Sequence, residues 1–290
     1  MSLNLTKSNV QDLATFIIER ENIRISKVLK SPKPWTLDPH LQKWRFCNVR
    51  RMDDRTSKWI HQRLVPEILD ENDMFVYILA ARMINWAPAL SMVLELPWDM
   101  WHSRLCKYRD RGNKVFTSAY IVSTNGQKMD KLAYVNKVWE KAAAEYPVFE
   151  PIDCAEAYEM LIELHGIGSF MAGQIVADLK HIETSSIYQA HDKMSWCCPG
   201  PGSVRGLNRL LELDIKTKWA NHKFQEVLLE ISDLFIENHM VSNSLLRTMC
   251  MQDLQNCLCE YDKWKRCQNG GRPRAKYSSH ENIYSVVDAL

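Results

Sequence analysis

Two stretches of this chain carry residue types suited to holding phosphate, and two more carry charged side chains at helical spacing. The first is the turn His165-Gly166-Ile167-Gly168, set between the helix-like segments Asp153–Leu164 and Ser169–Lys180. Gly166 and Gly168 allow a tight turn and bare the backbone N–H groups. Ser169 can cap the following helix, whose positive end favours an anion. Ile167 is expected to tuck between the helices. Phosphate held there would position DNA without reading its sequence; a plain turn between two helices is the alternative. The second stretch is "GPGSVRGLNR". Gly200, Gly202 and Gly206 free its backbone, while Ser203, Arg205, Asn208 and Arg209 offer donors to an anion. A Gly/Pro loop that merely caps a helix would read the same way. "RRMDDRTSK" sets Arg51, Asp54 and Arg55 at helical spacing, and "CEYDKWKR" puts Glu260 and Lys263 on one helical side. Solvated faces with surface ion pairs have that pattern too.

The elements that must place these residues read as helices. Only 10 glycines occur in 290 residues, and alternating β-branched runs are scarce, so the fold class expected is mainly α with at most a small β-hairpin. The segment "NVQDLATFIIERENIRISKVLKS" is a helix stopped by Ser31-Pro32 and Pro34. "LQKWRFCNVRRMDDRTSKWIHQRLVPEIL" continues as a helical stretch, with Asp53 or Asp54 as N-cap. The apolar run beginning at Asp70 is a core helix that Pro88 should end or kink. A strand is expected over Ala119–Ser123, followed by a turn at Asn125-Gly126. Asp153 with Glu156 gives a capping box for the helix entering the glycine turn. The tail after Trp264 reads as basic and weakly ordered. One helical domain with two lobes is expected over residues 1–277, with a C-terminal tail at 278–290.

Composition bounds the partners. The formal net charge is +2, so the chain is no polycation and any nucleic-acid contact must come from local basic patches. No secretion signal or membrane-length apolar run is found, so a cytoplasmic protein of a bacterial or phage-infected cell is expected, with no membrane partner. Nine cysteines, an odd number, argue against a disulfide framework.

The glycine turn resembles the hairpin of helix-hairpin-helix DNA glycosylases. In that family a catalytic aspartate follows the turn, and Asp192 stands 24 positions beyond Gly168. The resemblance implies a glycosylase-like helical fold, with Asp192 as general base or cation stabiliser and Asp178 as second choice. Ser169 and Phe170 stand where bifunctional members carry a Schiff-base lysine. Cys250, Cys257, Cys259 and Cys267 only approximate an iron–sulfur spacing, since Leu258 alone separates two of them.

Five phrases in order carry a broader resemblance: "LQKWRFCNVRRMDDRTSKW", "AYIVSTNGQKMDK", "GIGSFMAGQIVADL", "SWCCPGPGSVRGLNR" and "LCEYDKWKRC" with "GRPRAKY". Together they resemble the α-glutamyl/putrescinyl thymine pyrophosphorylase family, which includes the helical domain fused to 5-hydroxymethyluracil DNA kinases. The resemblance implies a thymine-hypermodifying transferase, in which an amine or amino acid replaces the pyrophosphate of 5-(diphosphooxymethyl)uracil in DNA. No G-x-x-x-x-G-K-[ST] phosphate loop occurs, so the kinase step is assigned to a separate protein. The implied partners are double-stranded DNA carrying modified uracil, a small amine or amino acid, and that kinase. No cofactor is demanded, Mg2+ with the diphosphate being the one the chemistry accommodates. On this resemblance Asp192, Asp178 and Glu260 are the catalytic candidates. Arg51, Asp54, Arg55, Ser203, Arg205, Asn208, Arg209 and Lys263 are the substrate-binding ones, with Trp196 to stack on an extruded base. Gly166, Gly168 and Ser169 would grip the DNA. A glycosylase excising a modified base and a non-catalytic DNA-binding module stay open as alternatives.

Overall fold

The computed structural model describes residues 5–68, 73–117 and 122–273. Its helices are α1 (Lys7–Val28), α2 (Pro39–Lys43), α3 (Arg55–Trp59), α4 (Met74–Ile84), α5 (Ala87–Leu90), α6 (Trp101–Asp110), α7 (Lys131–Glu145), α8 (Cys154–Glu163), α9 (Ser169–Leu179), α10 (Pro201–Leu210), α11 (Asn221–Glu237), α12 (Asn243–Leu246) and α13 (Met251–Gln268). No strand occurs among the described residues, in keeping with a mainly α class. Residues 119–121 of the expected strand lie outside the described residues. The turn after it forms, with positive φ at both Asn125 (51°) and Gly126 (78°). The described residues divide into two compact units, one built from 5–54 and 194–273, the other from 55–193.

In the first unit, Thr6 caps α1 by accepting the Asn9 N–H. The helix buries Val10, Leu13, Phe16 and Ile17, spaced three and four apart so that they share one face. That face meets Phe224, Leu228 and Ile231 of α11 and Leu254, Leu258 and Tyr261 of α13 in one core. Phe16 is its aromatic hub, 5.3 Å from the Trp264 ring and 6.1 Å from both Tyr261 and Phe46. The expected continuous helix after Leu41 breaks, because α2 ends at Lys43 and the chain turns extended at Trp44. The expected weakly ordered tail after Trp264 begins later, since α13 continues to Gln268.

The phrase "GPGSVRGLNR" is helix rather than loop. Pro201 takes the first position of α10, where its missing N–H costs nothing. Gly202 and Gly206, one turn apart, face α13. A Cβ at Gly206 would run into the Leu258 carbonyl, and one at Gly202 into the Cys259 thiol. These glycines therefore serve a close helix crossing, not a phosphate-cradling backbone.

In the second unit, α4 buries ten of its eleven residues and stops at Asn85, whose φ of 48° is left-handed. Pro88 then fits the first turn of α5. Asp153 caps α8 by accepting the Glu156 N–H at 2.8 Å. The helices α8 and α9 form a hairpin in which Ile167 is buried and its N–H meets the Leu164 carbonyl at 3.0 Å. Gly166 is needed twice over: its φ is 96°, and a Cβ would lie 2.6 Å from Val138 Cγ2 of α7.

Candidate active site

Asp262, wholly buried on α13, gathers three arginines. Its Oδ1 accepts from Arg209 Nε at 2.8 Å, and its Oδ2 accepts from Arg205 Nε and Arg266 Nε, each at 3.1 Å. Arg205 and Arg209 stand one turn apart on α10, as Asp262 and Arg266 do on α13. The crossing that Gly202 and Gly206 permit is what assembles the four. The three guanidinium side chains are 40%, 30% and 42% exposed, whereas Asp262 is sealed. One carboxylate offsets one cation, so the cluster keeps two positive charges in excess. Each arginine meets Asp262 through its Nε, and the guanidinium groups keep terminal N–H donors on side chains that are partly exposed. Guanidinium forks match phosphate oxygens, and the buried carboxylate fixes their rotamers before any anion arrives.

Cys259 links this cluster to a second one on the same helix. Burial above all, then Glu260, pushes its thiol up to about 11, while Lys263 and Arg205 pull the other way. All these groups thus lie within electrostatic reach of one sulfur. Glu260 Oε2 receives the Lys263 ammonium at 2.5 Å and the Cys47 N–H at 2.9 Å. Cys47 belongs to the extended segment after α2, which Arg20 fastens from α1 by donating to the Phe46 and Cys47 carbonyls at 3.1 and 3.0 Å. Farther along, the Arg51 N–H meets Asp253 at 2.8 Å and the Asn48 N–H meets Asp54 at 3.1 Å. Burial pushes the Asp54 carboxyl up to about 6, with Glu260 adding to it and the Asn48 N–H and Arg51 opposing. Such a group is ionised at neutral pH yet basic enough to take a proton.

Arg51, Asp54, Arg205, Arg209, Glu260 and Lys263 therefore come together in one unit. Arg20, Asp262 and Arg266 complete the set, although the sequence reading did not single them out. Their signals were present: Arg20 interrupts the apolar face of α1, and Asp262 and Arg266 repeat the four-residue spacing of Arg205 and Arg209.

Other candidates are committed elsewhere. Ser203 is buried and closes on Gly200, accepting its N–H at 2.9 Å and donating to its carbonyl at 3.0 Å. Asn208 is buried too; it donates to the Ile215 and Thr217 carbonyls and accepts the Trp219 indole N–H at 2.7 Å. Neither side chain can serve a substrate phosphate. Trp196 is buried in the first unit. Arg55 opens α3 in the other unit.

Asp192 accepts the Cys154 and Ala155 N–H groups at 2.9 and 3.0 Å, satisfying the first turn of α8. Asp178 is fully buried against Arg82, which donates to it through Nε and Nη2, with His61 at 3.5 Å. Both aspartates are thus tied into the second unit, away from the Asp262 cluster of the first. Gly168, not Ser169, is the N-cap of α9, and no side chain caps it.

Residues 7–271 match the family described as "5-hmdU DNA kinase, helical domain". The chain belongs to this family. The 5-hmdU DNA kinase of Bacillus phage SP10 is 24% identical over 228 residues, which cover 68% of this chain and 35% of the relative. The chain thus spans about a third of that protein. No solved structure matches. The Asp262 cluster, Glu260, Lys263 and Asp54 all fall inside the matched part of the helical domain. Among its described residues, no helix is long and apolar enough to cross a membrane, and no three His, Cys, Asp or Glu side chains are grouped to hold a metal ion.

Proposed function

We propose that this chain acts in the hypermodification of thymine-type bases in DNA. Its step replaces the diphosphate of 5-(diphosphooxymethyl)uracil with an amine or amino acid. The observation that carries the reading is the Asp262-anchored arginine trio beside the Glu260–Lys263 pair and Asp54. A diphosphate leaves as a polyanion, and a pre-arranged set of guanidinium donors is what stabilises charge developing on its oxygens. The electrons of the breaking bond between the 5-methylene carbon and oxygen go to pyrophosphate. The amine lone pair forms the new carbon–nitrogen bond, and the proton lost from nitrogen goes to Asp54. Glu260, held by Lys263 and the Cys47 N–H, fixes the segment that carries Asp54. Support comes from the family's description as the helical domain of 5-hmdU DNA kinase and from the resemblance of the five ordered phrases to the thymine pyrophosphorylases.

The test supplies duplex DNA bearing 5-(diphosphooxymethyl)uracil with glycine, glutamate, serine or putrescine, and reads the digested nucleosides by mass spectrometry. A new 5-aminomethyl-type nucleoside, with pyrophosphate released in equal amount, is expected. The double variant Arg205→Ala, Arg209→Ala should lose about a hundredfold or more in rate. DNA carrying only 5-hydroxymethyluracil, with ATP and amine, should stay unchanged until a separate kinase is added. No new nucleoside with any amine overturns the proposal. The α8–α9 hairpin favours a second reading, removal of a modified base, and abasic sites in the treated DNA would decide for it.

A further inference from the structure

A pocket of about 180 Å3 opens in the first unit, between α1, α2 and the segments flanking α2. Its walls include Trp35, Trp44 and Phe46, with Ile23 and Leu41 beside them. Pockets for drug-sized ligands run to about 300–1,000 Å3, so this one suits a single planar ring. Lys27 and Lys33 are part of its lining, and Lys43 stands between the lining residues Gln42 and Trp44. Lys27 Nζ and Lys33 Nζ lie 5.2 and 4.9 Å from the Trp35 ring, and Lys43 Nζ lies 5.3 Å from the Trp44 ring.

Aromatic walls inside a lysine rim are the pairing that holds a base while the phosphodiester backbone stays outside. Gln42 adds a reading edge. Its Nε2 donates to the Thr36 carbonyl at 2.8 Å, which leaves the amide oxygen and one N–H for a ligand. Uracil presents an N–H next to a carbonyl and matches that pair.

The inner wall ties this pocket to the charged strip on α13. Phe46 lines the pocket, and Lys263 Nζ, the partner of Glu260, lies 4.6 Å from its ring centroid. Arg20, which fastens Phe46 by its carbonyl, sits 5.7 Å from the same ring. We propose that this pocket takes a uracil-type base extruded from duplex DNA, stacked on its aromatic walls and read by Gln42, with the flanking phosphates on Lys27, Lys33 and Lys43. The inference rests on the function proposed above and names where its substrate base sits.

The experiment uses duplex DNA with one 5-hydroxymethyluracil and an adjacent 2-aminopurine, whose fluorescence rises when its neighbour leaves the stack. No diphosphate or amine is present, so the readout is independent of chemistry. The full chain should raise the fluorescence, and Trp35→Ala should weaken that response about tenfold. Gln42→Ala, on the exposed rim, should weaken it severalfold with helical content by circular dichroism unchanged, so the test stands even if Trp35→Ala fails to fold. A response equal to wild type in both variants, or DNA binding with no response at all, overturns the proposal. A response lost in the variants from a chain that transfers no amine sinks the function and keeps the pocket. Transfer at the wild-type rate in both variants does the reverse.

Discussion

The base proposed at Asp54 has to meet two demands that a carboxylate rarely meets together, being charged at working pH and still binding a proton well. Burial lifts its carboxyl to about 6, above the ordinary range, so the folded protein keeps a proton between about pH 4 and 6 that the unfolded chain has released. Its contribution to stability is therefore fullest at low pH and is lost as pH rises through that window. Asp54→Asn should remove this slope and leave the variant more stable than wild type at pH 7, read as urea midpoints at pH 4.5 and 7. In the transfer assay the wild-type rate should climb with pH around 6, and the variant should be slow with no such limb. A climb near pH 6 that survives in Asp54→Asn assigns the base to another group. The Asp54 carboxylate was readable from the sequence as a charge at helical spacing with Arg51 and Arg55, and the two arginines of α10 as phosphate donors in a glycine-rich stretch. What the sequence did not show is that Asp262 joins them, because it lies 53 and 57 residues from Arg209 and Arg205, and only the helix crossing brings them together.

That crossing belongs to the elements, and it is where glycine and proline misled the sequence reading. Gly and Pro usually mark turns, but Pro201 fits the first helical position and Gly202 and Gly206 lie on a contact face. Nothing in the local pattern distinguishes a glycine that turns the chain from one that lets another backbone approach. The apolar spacing in α1 was legible, as was the stop before Pro88, because those signals are local. The end of α13 was missed, since Lys265 and Arg266 read as a solvated tail although no breaker precedes Gly270. Gly206→Ala is the direct check on the crossing. A methyl there meets a main-chain carbonyl that cannot rotate away, so overpacking should cost about 2 kcal/mol or more. Gly200→Ala meets nothing closer than the Gln255 amide at 3.9 Å and should cost well under about 1 kcal/mol. Equal denaturant midpoints for the two variants would contradict the close approach of α10 to α13.

For the whole molecule, the decisive fact is that the site-bearing unit is discontinuous in the chain. Residues 5–54 supply α1, the extended segment and Asp54, while the arginine trio and Glu260 come from 194–273. Neither part covers its own apolar surface: Phe16 and Ile17 of α1 are sealed by side chains of the C-terminal part. An isolated amphipathic helix of this kind is marginal in water, because most helical stability in proteins comes from tertiary packing. The intervening residues 55–193 form the other compact unit, with Trp101 and Trp139 buried in its interior. A polypeptide of residues 55–193 should therefore unfold cooperatively by circular dichroism. Residues 1–54 alone should show little helix and should gain it on mixing with 194–273. The mixture should also recover binding of inorganic pyrophosphate, since α10 and α13 pack correctly only with α1 in place and their crossing sets the trio on Asp262, and Arg205→Ala in the C-terminal piece should weaken that binding. Full helicity in 1–54 by itself would show that α1 does not depend on α11 and α13. Helix gained on mixing without pyrophosphate binding would separate the fold of this unit from the anion site assigned to it.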